Sequence, residues 1–340
     1  MNKKVVFIIL TVLLVLGFAL SLCLGQMDIS MKTIFLTFTN FIGITADVNI
    51  LAEDQAAVLY NIRIPRTLIA ILVGAALAVT GAVMQGLFGN PLADPSLIGL
   101  SSGASLGAVV AIVTGLTAYG MFYMPFLAFV FALMSVALTI SLAMKDKKIP
   151  PMMLLLAGVS VSIFIAALTS GILTFTSEHN IREFLFWTVG GLDYRRWEHV
   201  YLIFIPVIAG IGVLCLLARH LNILSLGEVE ASSVGVPVVK LRLILLSVAS
   251  LTTAAAVSVS GSIGFVGLVV PHIMRLILGP EHRTLLPACA LFGAVFLLFC
   301  DILSRVVIAP MELRVGITTA LIGAPYFLYL LKRAQKEGLF

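Results

Sequence analysis

Two overlapping strings in this sequence could carry nucleophilic chemistry. Residues 99–107 read GLSSGASLG and contain Gly-x-Ser-x-Gly twice, centred on Ser101 and Ser105. In hydrolases such a string places the serine on a sharp turn between a strand and a helix, with a histidine nearby as base. Here the string opens a long apolar stretch, and all five histidines fall in predicted loops or at predicted span ends. An intramembrane hydrolase is therefore the disfavoured interpretation.

The same stretch fits helix packing better than catalysis. Its glycines, Gly99, Gly103 and Gly107, are spaced four residues apart. On a helix this spacing leaves a flat face, which lets a neighbouring backbone approach closely. We predict that these three glycines form a packing face.

The sequence lacks the residue patterns that several other kinds of active or binding site require. There is no phosphate-binding loop and no His-Glu-x-x-His, so any ATP hydrolysis would belong to another chain. The four cysteines lie in apolar runs without metal-type spacing, and we expect them to be small buried apolar residues. Charged residues are nearly absent from the middles of the predicted spans, which disfavours a carrier driven by an ion gradient. We expect no metal, cofactor or nucleic acid to bind this chain.

The composition is typical of an integral membrane protein. Of the 340 residues, 61% are hydrophobic and 11% are charged, whereas soluble domains carry about 25% charged residues. The apolar runs are long and continuous, unlike the alternating strands of an outer-membrane barrel. A spanning helix takes roughly 20 apolar residues, so we expect an all-α polytopic protein with about ten transmembrane helices. Residues 1–340 would form a single transmembrane domain of one bundle.

Polar segments divide the chain into ten predicted spans. The first apolar run follows Lys3 and Lys4 without a recognisable cleavage site, so we expect it to be an uncleaved span. A loop at 26–60, an external surface helix at 177–198 and a cytoplasmic segment at 219–240 interrupt the series. The spans cover about residues 5–25, 64–84, 94–114, 122–144, 151–175, 199–218, 241–259, 263–278, 285–304 and 315–331.

The basic residues predict an orientation. Ten spans put both termini on one side, and that side carries more Lys and Arg, so both termini are expected in the cytoplasm. The opposite side is nonetheless rich in arginine, including Arg63, Arg66 and Arg305. Orientation alone does not explain these arginines, whereas contact with a partner would.

A weak internal similarity relates two parts of the chain. Residues 66–95 and 242–271 each run from an arginine through an apolar span rich in small residues to a proline. On the predicted topology the two copies run in opposite directions, as inverted repeats of transporters do. Chance similarity between two alanine-rich spans is the alternative.

Five segments resemble a known family. In chain order they are RIPR, GAALAVTGAVMQGLFGNPLADPSLIGLSSGAS, LNILSLGEVEASSVG, GSIGFVGLVVPHIMR and LRVGITTALIGAPYFLYLL. They are similar to the FecCD-type permeases of type II ABC importers, which carry ferric siderophores, haem and cobalamin. The resemblance covers essentially the whole chain. It implies a bacterial inner-membrane protein with a second permease subunit, two cytoplasmic ATPases that hold ATP and Mg²⁺, and an extracytoplasmic binding protein.

The resemblance also implies roles for particular residues. Arg63, Arg66 and Arg305 would meet carboxylates of the binding protein, which the arginine fork pairs with bidentately. The expected ATPase-coupling residues are Leu226, Gly227, Glu228, Glu230, Ala231 and Gly235, and the expected pathway or gate residues are Met152, Met153, Ser160, Ser162, Thr318 and Thr319. At the gate, Pro150, Pro151 and the two methionines replace the small hydroxylated residues of some relatives. Iron(III)-siderophore is the expected cargo, with haem and cobalamin as alternatives, and a homodimer is expected over a heterodimer.

Overall fold

The computed structural model describes residues 2–25, 29, 34, 39, 53–145 and 148–336. Most of the loop expected at 26–60 lies outside these residues. Within them the chain forms no β-strand. The helices with described bounds are α1 Lys3–Cys23, α2 Glu53–Val58, α3 Ile64–Phe88, α4 Leu100–Val113, α5 Tyr123–Ala143, α6 Pro151–Thr174, α7 Glu178–Val189, α8 Trp197–Leu216, α9 Ala218–Leu224, α10 Glu228–Ser233, α11 Val238–Ser260, α12 Val266–Leu278, α13 His282–Val306 and α14 Val315–Lys336.

The helices confirm the predicted all-α membrane architecture. Seven are long and apolar enough to span a bilayer: α1, the continuous helix Asp54–Phe88, α5, α6, α8, α11 and α13. Shorter apolar helices occur at Leu100–Val113, Val266–Leu278 and Val315–Tyr329. These ten elements fall at the ten predicted spans. The second span begins earlier than expected, because α2 continues into α3 through a π-helical turn at Leu59–Arg63.

The proline-broken segment after α3 has a defined turn structure. Gly89 adopts a left-handed conformation (φ 59°) and ends α3. Asp94 then caps a short 3-10 helix at Pro95–Ile98, where its Oδ1 accepts a hydrogen bond from the Ser96 N–H at 2.9 Å. Gly99 is again left-handed (φ 84°) and leads into α4. Glycine tolerates this backbone region without the steric cost that a Cβ atom imposes.

Helix α3 lies at the centre of the bundle and packs through glycines. A Cβ atom on Gly74 would overlap the carbonyl oxygen of Gly293 on α13, and a Cβ on Gly293 would overlap that of Gly74. Gly81 meets the backbone of Gly267 on α12 in the same way. Close backbone approach is a main source of helix association in lipid, where no hydrophobic driving force acts between helices.

The two ends of the bundle differ in chemistry. The arginine end, where α1 and α13 finish and α3 begins, holds Arg63, Arg66, Arg305 and Arg314. The opposite end holds Lys3 and the short helices α9 and α10. Lys3 and Glu281 form an exposed ion pair there at 3.0 Å, which places the N-terminus beside the start of α13.

We expect Gly74→Ala to destabilise the bundle by about 1–3 kcal/mol, because the added methyl group forces α3 away from α13. The matched control is Gly171→Ala on α6, where a Cβ atom meets nothing within 4 Å. The measurement is the apparent melting temperature in detergent, followed by size-exclusion chromatography. Equal melting temperatures for the two variants would contradict the packing argument.

Candidate functional site

One buried guanidinium at the arginine end contacts three carboxylates. Arg66 lies in the first turn of α3 and is 7% exposed. Its Nε donates to Asp301 Oδ1 at 2.9 Å and its Nη1 donates to Glu312 Oε2 at 2.8 Å. Its Nη2 lies 3.4 Å from Asp193 Oδ1. Three remote parts of the chain therefore meet at one side chain.

Asp301 is shared by a second arginine. This aspartate is fully buried on α13, and its Oδ2 lies 3.1 Å from Arg305 Nη2, one helical turn away. Arg305 also donates to the backbone oxygens of Ser21 and Leu24 at 3.1 and 2.8 Å and to the Ser21 hydroxyl at 2.8 Å. These bonds satisfy backbone acceptors at the end of α1.

Two further arginines extend the network. Arg63 is 5% exposed and donates from Nη1 to the carbonyl oxygens of Leu22 and Cys23, the latter at 2.7 Å. Arg314 forms an ion pair with Asp193, and its guanidinium lies 4.8 Å from the centroid of the Phe186 ring. A guanidinium over an aromatic face is held by a cation–π attraction. Together with Arg66, Arg305, Asp301 and Glu312, these groups form the arginine network.

Arg63, Arg66 and Arg305, the predicted docking residues, are buried in the structure and already paired within the chain. Each is at most 7% exposed, and each is bonded to acceptors of the same chain. Burying a charge without a partner costs free energy. Acidic side chains and backbone carbonyl oxygens of the same chain therefore accept the hydrogen bonds of the three guanidinium groups. A docking role for the three arginines stays a prediction, and it requires the network to open.

The predicted coupling segment, residues 219–240 at the opposite end, contains the two short helices α9 and α10 and has apolar side chains facing outward. Gly227 (φ 126°) begins α10 and Gly235 (φ 81°) follows it. Ala231 is fully buried and anchors the helix. By contrast, Leu226, Val229 and Val234 are 71%, 78% and 66% exposed. Exposed apolar side chains clustered on one segment are typical of a protein contact surface.

Arg242 connects this segment to the start of α6. It lies in the first turns of α11 and is 7% exposed. Its Nη1 donates to Glu228 Oε1 at 2.6 Å and to the carbonyl oxygen of Ile149 at 2.7 Å. Charge-assisted bonds of this kind are about twice as strong as neutral ones. The guanidinium therefore joins α10, α11 and the residues just before α6.

The predicted pathway residues of α6 lie on its open face. Met152 and Met153 are 77% and 44% exposed in the first turn. Ser160 is exposed, with its hydroxyl bonded to the Leu156 carbonyl at 2.9 Å, and Ser162 is half-buried.

Thr318 and Thr319 of α14 are buried within the chain rather than on an open face, and their place along a pathway between subunits stays a prediction. Thr318 is 8% exposed and Thr319 is fully buried, with its hydroxyl bonded to the Gly316 carbonyl at 3.0 Å. Helical periodicity turns other side chains outward, including Ile317 and Leu321.

The glycine stretch serves packing in the structure. A Cβ on Gly103 would lie 2.5 Å from the Phe131 carbonyl oxygen of α5, and one on Gly107 would overlap that of Leu127. The Ser135 hydroxyl donates to the Gly99 carbonyl at 2.7 Å. Ser101 and Ser105 lie on α4 after a 3-10 turn, so they lack the preceding strand that a nucleophile elbow needs. The described residues also contain no cluster of histidine, cysteine or acidic side chains that could hold a metal ion.

The sequence reasoning missed the acids of the network and the role of Arg242. Asp301 had a detectable signal, because it is an acid inside an apolar span, four residues before an arginine. Asp193 and Glu312 lie in polar segments and had no such signal. Arg242 was noted as the start of the stretch 242–271, but nothing in the sequence indicated its bonds to Glu228 and Ile149.

Comparison with known proteins agrees with this architecture. The family model described as the FecCD transport family matches residues 13–333. The chain is 44% identical over 287 residues to the cobalamin import system permease BtuC of Halobacterium salinarum, covering 84% of this chain and 76% of that protein. It is 40% identical to the hemin transport system permease HmuU of Yersinia pestis, covering 97% and 95%. A solved structure of a metal-chelate type ABC transporter in an inward-facing conformation aligns with a TM-score of 0.85 at 33% identity, covering 97% and 99%.

Matches over nearly the whole chain establish the class of protein, a permease subunit of an ABC importer held in the inner membrane by multiple helices. The chain belongs to the FecCD transport family. Permeases of this class are not enzymes themselves, since a separate subunit hydrolyses ATP. Membership also implies a binding-protein partner.

We expect Asp301→Ala to lower the free energy of unfolding by about 3–5 kcal/mol, because it leaves Arg66 and Arg305 buried without their shared acid. Glu281→Gln, which breaks the exposed pair with Lys3, should change stability little. Thermal unfolding in detergent measures both. If the two variants behave alike, the arginine network does not hold the arginine end together. Because Arg66 also pairs with Asp301 and Glu312 inside the chain, its replacement by glutamate would disturb the fold. Loss of uptake in an Arg66→Glu variant would therefore not by itself demonstrate docking.

Proposed function

We propose that this chain, as a homodimer with two ATPase subunits, moves an iron(III)-siderophore-type chelate from an extracytoplasmic binding protein into the cytoplasm. The proposal rests on the family match over residues 13–333, together with the ten apolar helices at the predicted spans. The chain binds no cofactor of its own in this scheme, and ATP with Mg²⁺ binds the ATPase. Residues 1–340 act as one permease domain.

The cargo class is supported by the relatives. Their names specify cobalamin and hemin, and the aligned solved structure is of the metal-chelate type. All of these are bulky metal complexes, which is the chemistry shared with an iron–siderophore. Cobalamin is the second candidate, favoured by the 44% identity to a cobalamin permease.

The two ends of the bundle support the proposed direction of transport. The arginine end faces the binding protein, and both termini face the cytoplasm, as the distribution of Lys and Arg predicts. At the cytoplasmic end, Leu226, Val229 and Val234 form an exposed apolar surface that suits an ATPase. The open face of α6 would meet the second permease subunit and line the pathway with Ser160 and Ser162.

The direct test is uptake by the complex of permease, ATPase and binding protein in proteoliposomes. We expect accumulation of radiolabelled iron–siderophore only with ATP and the loaded binding protein. Titration of the isolated binding protein with iron–siderophore, hemin and cobalamin then assigns the cargo. Tight binding of cobalamin alone would replace the siderophore assignment, and uptake driven by an ion gradient without ATP would contradict the whole proposal.

Arg242 offers a test of coupling. We expect Arg242→Ala to reduce uptake about tenfold, because charge-assisted bonds to Glu228 and Ile149 are lost, while the assembled complex continues to hydrolyse ATP. Arg242→Lys should retain part of the uptake. Lys240→Ala is the matched control, since Lys240 is an exposed cation in the first turn of the same helix α11 and forms no ion pair among the described residues. Equal uptake in the alanine variant and wild type would exclude Arg242 from coupling.

A further inference from the structure

The first turn of α13 is capped by a side chain from another helix. The Oδ1 atom of Asn222 on α9 accepts a hydrogen bond from the backbone N–H of His282 at 2.9 Å. The first N–H groups of a helix have no acceptor within that helix, and Glu281, the residue before α13, makes no side-chain cap. The predicted coupling segment, which contains α9, therefore supplies the cap of α13.

The same amide oxygen also binds the imidazole of His282. It lies 2.7 Å from His282 Nδ1. A backbone N–H can only donate, so the atom of Asn222 that faces it is the amide oxygen rather than the amide nitrogen. That oxygen can only accept, so Nδ1 carries the proton and is a second donor to it. One acceptor on α9 thus holds both the backbone and the ring of His282, which is 4% exposed.

The imidazole also contacts the end of α3. A Cβ atom on Gly86 would lie 2.7 Å from His282 Nε2 and 3.1 Å from the Leu221 side chain. Gly86 lies in the last turns of α3, and a larger residue there would press on the ring. Helices α3, α9 and α13 therefore meet around His282, beside the coupling segment.

From this junction α13 stays packed against α3 toward the other end of the bundle. The two helices run antiparallel, and their contacts follow one register: His282 against Gly86, Gly293 against Gly74, and Asp301 against Arg66. Helix α13 is 25 residues long, so these contacts extend over about 30 Å. We call these two helices the α3–α13 pair.

The contacts within the α3–α13 pair favour movement as one unit. At Gly74 and Gly293 the backbones are too close to admit a Cβ atom, and at the arginine end a buried ion pair joins the helices. Coupling between distant sites needs a physical element whose position both sites influence. The pair reaches the arginine network at one end and the seven-residue helix α9 at the other, so it meets this requirement.

We propose that Asn222 and His282 are positioning residues that make the α3–α13 pair follow the coupling segment, so that the nucleotide state of the ATPase changes the arginine end. This inference rests on the proposed function. Asn222 contacts neither nucleotide nor binding protein in this scheme and acts through the cap of α13. Because coupling is reciprocal, a binding protein at the arginine end would change nucleotide affinity by the same factor.

The test measures the dissociation constant of the binding protein for the complete transporter in lipid nanodiscs, without nucleotide and with a non-hydrolysable ATP analogue. The ratio of the two constants is the coupling factor. Asn222→Leu has a similar volume but no acceptor, and we expect it to bring this factor at least about threefold closer to one. Asn222→Asp keeps an acceptor oxygen for both donors of His282 and should retain the wild-type factor.

Ser135→Ala is the matched control. The Ser135 hydroxyl on α5 also makes a buried hydrogen bond between two elements, to the Gly99 carbonyl, and it lies outside α3, α9 and α13. Loss of either bond should lower the melting temperature by a similar amount. Only Asn222→Leu should change the coupling factor, which separates a positioning role from a purely structural one.

Each outcome decides the proposal. An unchanged coupling factor in Asn222→Leu would overturn it, as would an equal loss in Ser135→Ala, which would show a general effect of lower stability. A factor lost equally in Asn222→Asp would also overturn it, because the acceptor would then be irrelevant. A wild-type factor of one would leave no coupling for the pair to transmit and would overturn it too.

A second variant covers the case in which Asn222→Leu does not assemble. Gly86→Ala keeps both hydrogen-bonding residues but presses on the imidazole, so it must also bring the coupling factor closer to one. An unchanged factor in that variant would overturn the proposal. Failure of the proposed function itself would appear separately, as absent binding or uptake in the wild-type complex.

Discussion

The ion pairing of Asp301 is the interaction on which the arginine end depends. This fully buried carboxylate lies between Arg66 and Arg305 and thereby ties α3 to α13, while Arg305 reaches the end of α1. Removing one partner from such a buried network leaves the other charge unpaired, which costs several kcal/mol. These ion pairs form only in one relative position of α1, α3 and α13. Deeper in the bundle, the close contact between Gly74 and Gly293 holds α3 against α13.

Each end of the bundle contains a buried arginine that pairs with a carboxylate. Arg66 and Arg242 each lie near the start of a central helix, α3 or α11, and each pairs with carboxylates from a remote or looped segment. These are the residues that began the two similar stretches of the sequence. A buried arginine at the start of each stretch is consistent with an inverted repeat, in which each copy secures one face of the membrane domain.

The spans were predictable because hydropathy, prolines and glycines are local signals. Helix α6 begins at Pro151 and α3 ends at Gly89, where the sequence itself restricts the backbone. The burial and ion pairing of the arginines were not predictable, because the acids that pair with them lie far away along the chain. The facing of α14 was not predictable for a related reason: the helices that cover one side of it lie elsewhere along the chain, so the sequence alone does not distinguish buried Thr318 from exposed Ile317.

The apolar surface at Leu226, Val229 and Val234 has a consequence for biogenesis. Without a partner the chain leaves this surface uncovered, around a short helix held by one buried alanine and one ion pair. Apolar side chains exposed together on one segment favour aggregation when no partner covers them. A partner that covers this surface, as proposed for the ATPase, would therefore also protect the permease from self-association.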